Sequence, residues 1–111
     1  MSAGWAPFDG GGSLESLGTE GGRILADEEH VLGARITLEA DCSLAPFAIN
    51  CGLYGWATHT CLFETEAAAR TQLDAMKIAL VEILDLIHDT DADAKKQEIG
   101  ASIALFVARF P

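Results

Sequence analysis

The chain predicts an α+β fold: an antiparallel sheet of about four strands, arranged as two hairpins, followed by two antiparallel C-terminal helices packed on one of its faces. Three observations carry that expectation. Apolar and polar residues alternate from Ala34 to Ala40, glycine-bearing breaks separate short apolar runs before residue 64, and after Thr65 the apolar spacing changes to a helical period. At 111 residues the chain has the size of one domain, with half of its residues hydrophobic and enough material for a single core.

Residues 1–22 hold seven of the eleven glycines, including Gly10-Gly11-Gly12 and Gly21-Gly22. Glycine loses the most backbone entropy on ordering, so composition reads this stretch as a flexible leader to a single domain spanning 23–111. Trp5, Phe8, Leu14 and Leu17 nevertheless give it apolar groups with which to dock on the domain or on a second subunit.

A first short strand is expected at Ile24-Leu25-Ala26 and a second where Ala34, Ile36, Leu38 and Ala40 alternate with Arg35, Thr37 and Glu39, leaving one face wet. The acidic run from Asp27 to Gly33 then reads as the turn of the first hairpin. The second hairpin joins Phe47–Cys51 to Trp56–Glu64 through Gly52-Leu53-Tyr54-Gly55, a loop of about three residues with Gly55 in the left-handed region. In that register Phe47, Ile49 and Cys51 share the core face with Ala57, His59, Cys61 and Phe63, and Asn50, Trp56, Thr58 and Thr60 take the other.

The first helix starts at Thr65, whose hydroxyl can cap it, with Glu66 placed to pair with Arg70, and runs to about Asp89. Leu73, Met76, Leu80, Ile83, Leu84 and Ile87 form a stripe about 100° wide, the width of a helix laid on a sheet. Ile78, Val81 and Leu86 fall outside it and make a second apolar surface that calls for a cover. The second helix begins after Thr90, with Asp93 as its capping companion. Its stripe is Ile99, Ile103, Phe106, Val107 and Phe110, and Gly100 permits a close approach to the first helix.

Seventeen acidic against seven basic residues give a net charge of -10, which repels nucleic-acid phosphates and anionic lipids. Neither nucleic acid nor membrane is expected as a partner, and no apolar run reaches the roughly 18 residues of a membrane span. The opening residues lack the basic and apolar regions of a secretory signal, which makes the cytoplasm the expected location. Three cysteines, an odd number, then read as free thiols.

Cys51, His59 and Cys61 are the candidate ligand or metal residues, because the register projects all three from one face of neighbouring strands. A structural zinc takes four protein ligands, and Cys42, His30 and His88 stand at no recognised spacing from these three. As a catalytic group, His59 would have to draw a proton from one thiol, although a histidine and cysteines on such a face are more often core. Asp89-Thr90-Asp91-Ala92-Asp93 begins like a calcium loop but has Ala94 and Gly100 where the turn glycine and the bidentate glutamate belong. The carboxylates of Asp27, Glu28 and Glu29 read as solvated charge at a hairpin tip, and Gly10-Gly11-Gly12-Ser13 lacks the lysine of a phosphate loop.

The segments Gly33-Ala34-Arg35-Ile36-Thr37-Leu38-Glu39, Ala45-Pro46-Phe47-Ala48-Ile49 and Gly52-Leu53-Tyr54-Gly55-Trp56 resemble parts of small uncharacterised bacterial proteins. The resemblance covers roughly residues 23–90 and implies a bacterial, cytosolic protein, with no activity or catalytic residue to carry over. The leading expectation is a small acidic non-catalytic protein-interaction module that forms a homodimer and has no cofactor. Its candidate interaction surface comprises Ile78, Val81, Leu86, Tyr54 and Trp56. The acidity admits a partner with a basic surface, and a narrower version is an immunity-type inhibitor of a basic toxin enzyme. The alternative is a small-molecule-binding or thiol- or metal-dependent enzyme using Cys51, His59 and Cys61.

Overall fold

The computed structural model describes residues 4–89 and 93–111. Five strands form one antiparallel sheet in chain order: β1 (Trp5–Pro7), β2 (Arg23–His30), β3 (Ala34–Ala40), β4 (Phe47–Leu53) and β5 (Ala57–Phe63). Two helices follow, α1 (Glu66–Ile87) and α2 (Lys96–Arg109), and both pack against the same face of the sheet. The α+β class and the two C-terminal helices match the sequence expectation, with one strand more than the four expected.

The fifth strand comes from the glycine-rich N-terminal segment. Trp5, Ala6 and Pro7 pair with His30, Glu29 and Glu28, and the Trp5 indole meets the His30 ring edge-on at 5.0 Å. Residues 8–22 then cross the sheet face opposite the helices, tied down by Glu15 N–H to the Ile24 carbonyl (2.8 Å) and Ser43 N–H to the Glu20 carbonyl (3.0 Å). Composition reports glycine's entropy cost but not these backbone bonds, which offset it.

The first hairpin also differs from expectation, because β2 continues through the acidic run and turns only at Val31–Gly33. Each carboxylate of that run has a partner from another part of the chain: Arg35 for Asp27, Lys77 for Glu28 and the Tyr54 hydroxyl for Glu29. Paired in this way, the acids tolerate strand pairing instead of forming a solvated tip. A bulge between Ile24 and Ala26 switches the side chains at the start of β2 from one face to the other.

The β4–β5 register is the expected one: Phe47 faces Phe63, Ile49 faces Cys61, and Cys51 faces His59, around a turn with Gly55 at φ +82°. Ile36, Leu38, Ile49 and Cys61 from the sheet meet Leu73, Met76, Leu80 and Leu84 from α1 in one core. Burial of each large aliphatic side chain contributes about 1.5–3 kcal/mol. The Thr65 hydroxyl caps α1 by accepting the Ala68 N–H at 3.2 Å, and Glu66 pairs with Arg70 at 2.7 Å.

Lys77, which lies on the polar sector of the helical wheel, is turned toward the sheet and donates to both Glu28 oxygens at 2.8 Å. In α2 Ile99 and Phe106 are buried, as is Phe110 just after its last turn, whereas Val107 is exposed. The helix starts at Lys96 without a side-chain cap, and the expected cap Thr90 lies outside the described residues. Gly100 makes no close approach, since a Cβ there would meet nothing within 4 Å. Nor does α2 cover Ile78, which remains 66% exposed, because it packs along Ala79 and Ile83 instead.

Candidate functional site: the open face of the sheet

Cys51, His59 and Cys61 do project from one face, toward the helices. His59 and Cys61 both turn to the end of α2, where His59 Nε2 donates to the Phe110 carbonyl and Cys61 Sγ donates to the same oxygen at 3.2 Å. The Phe106 ring lies edge-on to the His59 ring at 6.3 Å. These contacts fasten the last turn of α2 to β5, a packing role for both side chains.

Burial, reinforced by the neighbouring Cys61, pushes the Cys51 thiol up to about 12, and burial also raises Cys61. Both shifts favour the protonated sulfur and oppose the thiolate that nucleophilic chemistry needs. Among the described residues no group of three or more His, Cys, Asp or Glu side chains is arranged to hold a metal ion. Of the acidic stretch Asp89 to Asp93, residues 90–92 lie outside the described residues, and Asp89 pairs with Lys95.

The candidate interaction residues differ in exposure. Ile78 and Tyr54 are exposed, at 66% and 51%, while Val81 and Leu86 are half-buried and Trp56 packs against the core. Tyr54 closes the β4–β5 turn and donates to Glu29 Oε2 at 2.5 Å. Burial and that bond to a carboxylate push its phenol up to about 12, so it stays a neutral donor at physiological pH.

A broad recess lies on the other face. There the segment 8–22 covers β2 and part of β3 and leaves an open cleft of about 930 Å³ over β3, β4 and β5. Its floor is a connected polar network centred on Glu39, which alternation predicts to be wet but which is only 1% exposed. Glu39 accepts the N–H groups of Glu20 and Gly22 and the Asn50 amide, each at 3.1 Å. Asn50 also donates to Thr19 Oγ1 at 2.9 Å and accepts from the Thr60 hydroxyl at 2.5 Å.

A second anchor lies beside it. Asp27, buried, accepts Arg35 Nε at 2.9 Å, Arg35 Nη2 at 2.6 Å and the Ser13 hydroxyl at 2.7 Å, and the Arg35 guanidinium stacks 3.5 Å from the Phe8 ring centroid. No buried side-chain nitrogen or oxygen among the described residues lacks a hydrogen-bond partner. The floor therefore offers shape and a polar surface, with its reactive-looking groups already committed to one another. Among the described residues Arg35 is the one Lys or Arg lining the cleft, against Glu20 and Glu39, so this face keeps the acidic sign of the whole chain.

Sequence reasoning missed Glu39, Asn50, Asp27 and Arg35 as a set. The one available signal was Glu39 within an otherwise apolar-periodic strand, and its main donors are backbone N–H groups that carry no residue-type signature. Comparison with known proteins gives no match, whether to a protein-family model, a curated protein or a solved structure.

Proposed function

We propose that the chain is a small non-catalytic protein-interaction module that works as a homodimer and receives a partner with a basic surface on the open face of its sheet. One observation supports this above the rest: the cleft over β3–β5 is broad and open, and among the described residues every buried polar side-chain group of its floor is already hydrogen-bonded. Such a surface suits recognition by shape and hydrogen bonding more than bond-breaking. Tyr54 at one end and Leu17, 80% exposed, at another supply the apolar contacts that anchor an interface. The acidic lining and the net charge of -10 favour a basic partner, as an immunity-type inhibitor of a basic enzyme would require. Among the described residues no helix is long and apolar enough to cross a membrane.

The test is an amide-resolved NMR titration of the ¹⁵N-labelled protein with a Lys- and Arg-rich peptide containing one aromatic residue, at physiological salt. Saturable shifts should concentrate at Thr37, Asn50, Tyr54, Thr58 and Thr60, and Tyr54→Ala should weaken binding roughly tenfold, equivalent to about 1.4 kcal/mol. Shifts confined to the helices, or spread over the surface without saturation, would contradict this assignment.

A further inference from the structure

We infer that the free edge of β5 pairs antiparallel with β5 of a second copy, joining the two five-stranded sheets into one. The inference rests on the homodimer reading above and names its contact surface. The linear sheet order leaves two edges, β1 and β5, and they are built differently.

The β1 edge is three residues long, ends in Pro7 and runs straight into a 3-10 turn at Phe8–Gly11, features that blunt an edge against further pairing. The β5 edge is seven residues long and pairs with β4 in an unbroken register without a bulge. It contains no proline, no glycine and no Asp, Glu, Lys or Arg. Among the described residues no backbone hydrogen bond joins β5 to anything but β4, so its outward N–H and C=O groups stand ready for another strand.

The charge pattern permits a second copy at this edge and disfavours it elsewhere. The chain carries a net charge of -10, so two copies repel over most approaches. Residues 42–63 contain no Asp, Glu, Lys or Arg, and β5 presents this uncharged stretch at an edge. At this edge two copies meet without like charges opposed, whereas a basic foreign strand would be drawn to the acidic surfaces elsewhere.

The strand is also self-complementary. With a two-fold axis at its central residue, Thr60 faces Thr60 of the second copy, and Thr58 faces Leu62, all on the open face of the sheet. Thr58 and Thr60 are exposed and Leu62 is 47% exposed, and the Thr60 hydroxyl, which donates to Asn50 Oδ1, keeps its acceptor lone pairs and methyl group for contact across the axis. Cross-strand threonine pairs and aliphatic contacts of this kind support antiparallel sheets, and the contact is isologous as a closed dimer requires. The product sets two open clefts side by side on one continuous surface.

The test is sedimentation velocity on the full chain over a micromolar concentration series, with circular dichroism as the folding control. Wild type should be a dimer, and Thr60→Glu and Thr60→Lys should each be monomeric, because like charges then face each other at the axis. An equimolar mixture of the two variants should regain the dimer. Should either fail to fold, Leu62→Lys replaces them: its side chain is exposed on the edge strand, and an edge lysine blocks pairing.

A wild-type monomer would overturn both this inference and the homodimer reading, including the case in which an added β5 peptide binds it. A wild-type dimer that persists in folded Thr60→Glu, Thr60→Lys and Leu62→Lys would overturn the β5 contact alone and leave the homodimer reading in place.

Discussion

Replacing Glu39 by alanine removes the acceptor that holds the N-terminal segment to the sheet, and its cost follows from the bonds that are lost. The carboxylate accepts from Glu20 N–H, Gly22 N–H and Asn50 Nδ2 in a site only 1% exposed. Each hydrogen bond to a charged acceptor contributes about 1.5–3 kcal/mol net, so the three set a ceiling of several kcal/mol. Glu20 and Asn50 are only half-buried, and water can reach their donors once the carboxylate is gone, which reduces the expected loss to roughly 3–4 kcal/mol.

Against a typical total stability of about 5–15 kcal/mol, that is large enough to read in urea unfolding followed by tryptophan fluorescence. Amide exchange separates local from global effects, since the Glu20 and Gly22 N–H groups should lose at least roughly 100-fold protection, equivalent to about 2.7 kcal/mol. Glu39→Gln should restore part of the loss, because its amide oxygen can still accept the Glu20 and Gly22 N–H groups, which share Oε1, while its NH2 is turned toward the Asn50 donor. A loss under about 1 kcal/mol with unchanged exchange at Glu20 and Gly22 would refute the assignment of Glu39 as the anchor.

Gly100→Ala should stabilise the protein by about 0.5–1 kcal/mol in the same assay, since the position is helical and a Cβ there meets no atom within 4 Å. Stability should fall at alkaline pH. The Cys51 pKa rises from 9.0 unfolded to about 12 folded, so its contribution is complete below pH 9 and is lost as pH climbs toward 12. Cys51→Ala should flatten that decline in pH-dependent unfolding, leaving the part due to Tyr54 and Cys61, and an unchanged slope would show that Cys51 does not titrate this way. Iodoacetamide on the folded protein, followed by peptide mass mapping, should modify half-buried Cys42 before buried Cys51 and Cys61; early labelling of Cys51 would restore the nucleophile reading.

The parts of the fold legible in the sequence are those set by short-range period. Alternation from Ala34 to Ala40 places β3, the glycine at position 55 fixes the β4–β5 turn and register, and the stripe from Leu73 to Ile87 orients α1. These signals sufficed to bring Cys51, His59 and Cys61 to one face. They could not show that His59 and Cys61 meet the Phe110 carbonyl, 51 and 49 residues away.

The open face was hidden for the same reason. Glu39 is bonded by backbone groups 19 and 17 residues away, and Asn50 reaches Thr19 across 31 residues. Local composition therefore registered the cost of ordering glycines without the carboxylate that offsets it. Lys77 and Glu28, separated by 49 residues, likewise read as two surface charges until α1 is laid on the sheet.

Native mass spectrometry of the untagged protein, purified without chelator, tests the central claim most directly because one spectrum reports subunit number, bound metal and retained small molecules. The account predicts a species of twice 11.8 kDa with neither metal nor ligand. A monomer carrying stoichiometric zinc or a small molecule would contradict it and return Cys51, His59 and Cys61 to the centre of the function.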